Sequence, residues 1–160
     1  MSSILKVDTI QNTGGTTGLT IDSSGAILKP VLPYGQFSGP SSVTTGGNVI
    51  TFAGNIINGG GMTVDSSNSR MIVPVAGLYA VGFNQLVENT TAFTTVYIRK
   101  NGNQVNGSVV QNDQTSNYGA FGAHRIIELA ANDYIDWYCS AGTIYAGSTQ
   151  YSNHYIYLLG

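Results

Sequence analysis

The sequence predicts an all-β sandwich, and three features carry that prediction. Only 9% of the 160 residues are charged while glycine contributes 21, a composition poor in the Glu, Lys, Ala and Leu that long helices use. From residue 34 onward, short runs rich in Val, Ile, Tyr, Phe and Thr show strand patterning, several with strict period-two alternation. Clusters of Gly, Asn, Asp and Ser separate those runs at the intervals of a β-sandwich.

Taken in order, residues 1–33 read as apolar bursts between turns: I-L-K-V-D-T-I, N-T-G-G-T-T-G, L-T-I-D-S-S-G and A-I-L. Strands this short cannot bury a face alone, so a β-rich stem completed by other copies or other proteins is expected. Leu5, Val7, Ile10, Leu19 and Ile21 are its candidate anchoring residues. Fully extended, the segment reaches at most about 110 Å. Pro30 and Pro33 interrupt pairing and set the expected boundary with a head of residues 34–160.

Within the head, strands are predicted at 34–37, 49–53, 62–64, 69–73, 77–87, 93–100, 104–110, 119–129, 134–139 and 152–159. Asn101 and Gly102 tolerate positive φ and join two of these runs as a hairpin. Residues 58–61, 65–68, 131–133 and 141–142 supply further turns. In Y-I-D-W-Y-C (134–139), Ile135, Trp137 and Cys139 share one face, while Tyr134, Asp136 and Tyr138 share the other. In the last run Tyr155, Tyr157 and Leu159 oppose His154, Ile156 and Leu158. Both faces of these strands are largely apolar. Burial once in the core and once against a neighbouring subunit is therefore expected, with Tyr134, Tyr138, Tyr155, Tyr157 and Leu159 at the subunit interface. Tyr118, Phe121, Tyr145 and Tyr151 are read in or near loops, as candidate contacts with an external partner.

The inventory for chemistry is thin. The eight acids are scattered, and only Asp133 and Asp136 are close, at a spacing that separates their faces in a strand. A glycosidase needs two carboxylates held together in a cleft, so a depolymerase is disfavoured. His124 and His154 lack metal-binding spacing, and no nucleophile elbow, phosphate loop or dinucleotide fingerprint occurs. Cys139 is single, which excludes an internal disulfide, and its alternation with Trp137 reads as a small core filler. No enzymatic activity, cofactor or metal is expected. A net charge of -2 without a basic stripe argues against nucleic acid. No apolar run approaches the roughly 18 residues of a membrane span. The N-terminal residues lack the apolar core of a signal peptide, so synthesis and folding in a cytoplasm are expected.

Residues 71–83 read M-I-V-P-V-A-G-L-Y-A-V-G-F, in which Gly77, Tyr79 and Phe83 keep the spacing G-x-Y-x-x-x-F after an apolar run with Pro74. This segment resembles the signature of the C1q/TNF-like jelly roll. Lys100-Asn101-Gly102 is similar to that family's hairpin. Ile127-Glu128-Leu129 followed by Asn132-Asp133-Tyr134-Ile135 is similar to its strand, turn and strand passage, and residues 155–160 to its closing strand. Val81, Asn132 and Tyr157 depart from the family's usual residues, and no collagen-like stalk precedes the head. The resemblance implies a homotrimeric head that binds or builds rather than catalyses. Some such heads hold calcium near the trimer axis, and Asp65, Asp113 or Asp133 would supply oxygens, but no spaced acidic loop supports a metal here.

The opening phrases L-K-V-D-T-I-Q (5–11) and L-T-I-D-S-S-G (19–25) resemble a leader common in phage tail-fibre and other virion proteins. Together the two resemblances imply a trimeric virion protein, a short fibre or knob contacting a host polysaccharide or protein. Its stem would dock on other virion proteins. The alternative is a capsid decoration (cement) trimer. A secreted C1q-like ligand or lectin is less favoured.

Overall fold

Strand patterning at period two is realised throughout the computed structural model, which is all-β over its described residues: 7–11, 13–14, 17–28, 31–40, 42–52, 56–88, 93–113, 118–146 and 151–159. The chain divides into two compact units, Met1–Val31 and Leu32–Gly160.

The first unit is one antiparallel sheet of β1 (Thr9–Gln11), β2 (Thr17–Ile21) and β3 (Ile27–Leu28). Its second turn has a local cause. Asp22 Oδ1 accepts hydrogen bonds from Ser24 N at 2.9 Å, Ser24 Oγ at 2.6 Å and Ala26 N at 2.9 Å. These bonds hold the Asp22 carboxyl below its ordinary pKa.

The second unit contains β4 (Tyr34–Ser38), β5 (Thr44–Thr45), β6 (Asn48–Val49), β7 (Ile56–Gly59), β8 (Thr63–Asp65), β9 (Arg70–Ile72) and β10 (Gly77–Glu88). It continues with β11 (Thr94–Lys100), β12 (Asn103–Gln104), β13 (Val110–Asn112), β14 (Tyr118–Leu129), β15 (Tyr134–Ala141), β16 (Thr143–Ile144) and β17 (Asn153–Leu158). A first sheet runs β14–β10–β17–β4–β7, with β16 and β5 continuing beside the far end of β10. A second runs β13–β11–β15–β9–β8, with β12 beside β11 and β6 beside β15. The pairings are antiparallel, and four of them are nested: β4 with β17, β9 with β15, β10 with β14, β11 with β13. A long hairpin rolled into two layers pairs its strands this way, so the sandwich is compatible with a jelly roll.

The core lies between the sheets. Phe37, Tyr79, Val81, Phe83 and Ile156 come from the first sheet, and Met71, Val96, Ile98, Ile135, Trp137 and Cys139 from the second, all fully buried. Each large apolar side chain removed from water contributes roughly 1.5–3 kcal/mol. Burial pushes the Cys139 thiol up to about 11, which suits an inert filler rather than a nucleophile.

Two turns follow the expected chemistry. Asn101 (φ 50°) and Gly102 (φ 79°) both occupy the left-handed region between β11 and β12. Asn132 (φ 71°) does so in the β14–β15 turn, where Asp133 accepts hydrogen bonds from Asn101 Nδ2 at 2.7 Å and Ala130 N at 2.8 Å.

Some boundaries differ from expectation. The run 104–110 is broken by a turn, because the buried Ser108 hydroxyl takes over ladder contacts. It accepts from Ile98 N at 3.1 Å and donates to Val105 O at 2.7 Å. The run 49–53 is reduced to β6 and an isolated bridge between Phe52 and Pro40. Strands β5, β7 and β16 escape the sequence pattern, since each is two to four residues long and is defined by its partner.

Candidate functional site

Because odd-numbered residues of β10 enter the core, its even-numbered residues form the outer face of the first sheet. Strand register then builds rows across that face. One row is Ile126, Ala80, Tyr157 and Tyr34, on β14, β10, β17 and β4. The next is His124, Gly82, Tyr155 and Gln36. Leu78 extends the apolar end. Ile126 is 67% exposed, Leu78 49% and Tyr157 45%, with Tyr34 also exposed. The rings of Tyr155 and Tyr157 stack with centroids 5.9 Å apart.

Glycine at position 82 makes this surface possible. A Cβ there would lie 2.5 Å from the Tyr155 hydroxyl and 2.7 Å from His124 Nδ1. Those two groups are hydrogen bonded to each other over the bare glycine backbone. Partial burial first, and then the neighbouring Tyr157, raise the Tyr155 hydroxyl above its ordinary pKa.

The expected interface tyrosines do not share one surface. Tyr155 and Tyr157 lie on the outer face of the first sheet, and Leu159 follows β17, 45% exposed. Tyr134 and Tyr138 lie on the outer face of the second sheet, where chain-internal cations cover them. Arg70 sits 4.5 Å from the Tyr134 ring centroid, and Arg99 sits 4.1 Å from that of Tyr138. Arg99 also donates two hydrogen bonds to the buried Asp136, at 2.6 and 3.0 Å. Their side faces are thus provided for within one chain.

The four expected partner-contact residues divide three to one. Tyr118, Tyr145 and Tyr151 converge with Leu86 around a cleft of about 410 Å³. The rings of Tyr118 and Tyr145 meet nearly perpendicular, 5.2 Å between centroids. Phe121 differs from the loop expectation. It lies within β14, points inward and meets Phe83 edge-on at 6.2 Å, because period-two alternation from the buried Ala123 sends it to the core side.

The floor of the tyrosine cleft is braced. Tyr145 N donates to Leu86 O at 3.2 Å. Ser152 Oγ accepts from Leu86 N at 3.1 Å and from Gln85 Nε2 at 2.9 Å, and Gln85 and Ser152 are both buried. A wider cleft of about 580 Å³ is lined by Ser42, Thr45, Asn48, Thr51, Ser67 and Asn68 among others. Its amides are already engaged: Asn48 Nδ2 donates to Thr45 O at 3.1 Å, and Asn68 Nδ2 to Asp65 at 2.9 Å.

In the first unit, register pairs Ile10 with Leu19 and Ile21 with Ile27. Ile10 and Ile27 are exposed, while Val7, Leu19 and Ile21 are half-buried. Leu5 lies outside the described residues. Among the described residues no three His, Cys, Asp or Glu side chains gather as a metal-binding group. No helix there is long and apolar enough to cross a membrane.

Sequence reasoning missed Tyr34, Leu78, Leu86, His124 and Ile126 as surface residues. The signal for Leu78 and Ile126 was present: each is a large apolar residue at the outward parity of a strand whose other parity fills the core. No protein-family model matches the chain, and no curated protein matches it in sequence.

Proposed function

We propose that the chain is a non-enzymatic bacteriophage virion protein, a homotrimeric short fibre or knob whose head contacts the host surface. One observation carries the assembly: the apolar row on the outer face of the first sheet. Ile126, Tyr157, Tyr34 and Leu78 form a surface too apolar and too continuous for solvent, and self-association covers it. The nested pairings support a C1q/TNF-like head, as do Tyr79 and Phe83 standing in the core after Gly77. The virion location rests on the likeness of residues 5–11 and 19–25 to phage leaders. Three heads held together multiply weak contacts with a repetitive host surface into avidity.

The first unit favours a second reading, a capsid decoration trimer. Its strands are only three, five and two residues long, and Ile10 and Ile27 are exposed, which suits docking on another virion protein.

Two measurements test these readings. Sedimentation at micromolar concentration is expected to give a trimer for the native chain and a folded monomer for Ile126→Glu. That exposed site alters monomer stability by within about 0.5 kcal/mol. A stable native monomer would sink the assembly. Copy number per purified particle then separates the roles. A few trimers per particle place the protein on the tail, and a number comparable to the major capsid protein makes it a decoration protein.

A further inference from the structure

We propose that the cleft between Tyr118, Tyr145, Tyr151 and Leu86 is a binding subsite for one neutral pyranose ring of a glycan. The inference rests on the host-contact reading above and names its ligand class.

Composition is the first argument. Among the described residues the cleft is lined by three tyrosines and one leucine, all uncharged. Uncharged walls of this kind suit a neutral ligand. A pyranose carries an apolar face of C–H groups and a rim of hydroxyls. Tyrosine matches both parts, with an apolar ring and a hydroxyl that donates and accepts.

Geometry is the second. Tyr118 and Tyr145 stand at 75° to each other, so they form a corner, one ring as floor and the other as wall. The volume of about 410 Å³ lies within the roughly 300–1,000 Å³ range of small-ligand sites. A corner of this kind seats a compact ring.

Preorganisation is the third. Leu86 is held from both sides of its peptide, by Tyr145 N at 3.2 Å and Ser152 Oγ at 3.1 Å. Ser152 is fixed in turn by the buried Gln85 at 2.9 Å. The segment bearing Tyr145 is also paired through Ile144 to Val87 of β10. A site whose walls are tied to buried polar groups loses little entropy on binding. Meanwhile Tyr118 and Tyr151 stay 54% and 52% exposed, open to a ligand. In the wider Ser/Thr/Asn cleft, by contrast, Asn48 and Asn68 are committed within the chain.

The test uses the full chain in its native assembly. Saturation-transfer NMR is run with the methyl glycosides of glucose, galactose, mannose and N-acetylglucosamine, with N-acetylneuraminic acid as the charged comparison. At least one neutral glycoside is expected to receive saturation on its ring C–H protons. Tyr151→Ala and Tyr118→Ala are each expected to weaken that binding about tenfold, whereas Tyr151→Phe keeps most of it. Both residues are exposed, so melting temperature and oligomeric state should stay at the native values, which separates lost binding from lost fold. Absence of binding by every neutral glycoside overturns the proposal. So does equal binding by Tyr151→Ala and Tyr118→Ala, or binding confined to the charged sugar. Adsorption to cells that protease treatment abolishes and periodate leaves intact identifies a protein partner and also overturns it. If glycoside binding is present and cell adsorption is absent, the host-contact reading falls and the subsite stands.

Discussion

Acidification tests the core directly through His154. The side chain is fully buried, its ring stacks on Phe37 at 4.3 Å and 3°, and Trp137 meets it edge-on at 5.4 Å. Neither ring nitrogen has a hydrogen-bond partner among the described residues. Desolvation alone pushes its pKa down from 6.5 to about 3. In the unfolded chain the imidazole takes up a proton below its ordinary pKa, while in the folded chain it stays neutral until far lower. Stability is therefore level above that ordinary value and falls as pH drops below it. The slope approaches about 1.4 kcal/mol per pH unit, which amounts to about 2 kcal/mol between pH 7 and pH 5. The loss over this interval depends on the unfolded value only, because the folded value lies well below the interval. Asp133, Asp65 and Asp22 have lowered carboxyl pKa values and act below their ordinary value of 3.8, outside this range.

The experiment is urea unfolding at fixed protomer concentration, at pH 7, 6 and 5, for the native chain and His154→Phe. Phenylalanine keeps the stack on Phe37 and cannot be protonated. The native chain should lose about 2 kcal/mol more than the variant over the two pH units. Parallel profiles would refute the reasoning, since a histidine that takes up its proton without cost is not desolvated.

Two further substitutions probe the surfaces around that core. Gly82→Val drives a side chain into the Tyr155 hydroxyl and His124 Nδ1, and should cost roughly 1–3 kcal/mol and disrupt the proposed trimer, read by denaturation and sedimentation. Asp133→Ala removes the acceptor for Asn101 Nδ2 and Ala130 N and the partner of Lys100 Nζ at 2.9 Å, and should cost about 1 kcal/mol at pH 7. The hydrogen bond from Asn101 contributes most to lowering the Asp133 carboxyl to about 2, so its contribution is present above pH 3.8 and fades as pH falls through about 2. Native and variant stabilities should therefore converge on acidification, and a constant difference down to pH 2 counts against the carboxylate as the cause.

Much of the fold was legible in short windows of sequence. Alternation in Y-I-D-W-Y-C placed Ile135, Trp137 and Cys139 inside, and all three are fully buried. The Asn101-Gly102 pair marked its hairpin because few residues accept positive φ in succession. Where the reading failed, a distant group decided. Ser108 ends a strand because its hydroxyl competes for the ladder position of Ile98. Residues 56–59 become a strand because β4 lies beside them. The tyrosine cleft was half legible: Tyr118, Tyr145 and Tyr151 stood out as aromatics near turns, but nothing local revealed that Leu86 would join them.

By itself the sequence determined the all-β class, the parity of the 134–139 and 152–159 strands and several turns, because side-chain alternation and backbone φ are local properties. Only the tertiary structure decided which outer surface each parity faces. Tyr134 and Tyr138 share a parity pattern with Tyr155 and Tyr157, yet β15 joins the second sheet and β17 the first, so the pairs stand on opposite sides of the sandwich. A strand's own residues specify two faces. Its sheet and its neighbours are set by nested long-range pairings, and those depend on the packing of the whole core.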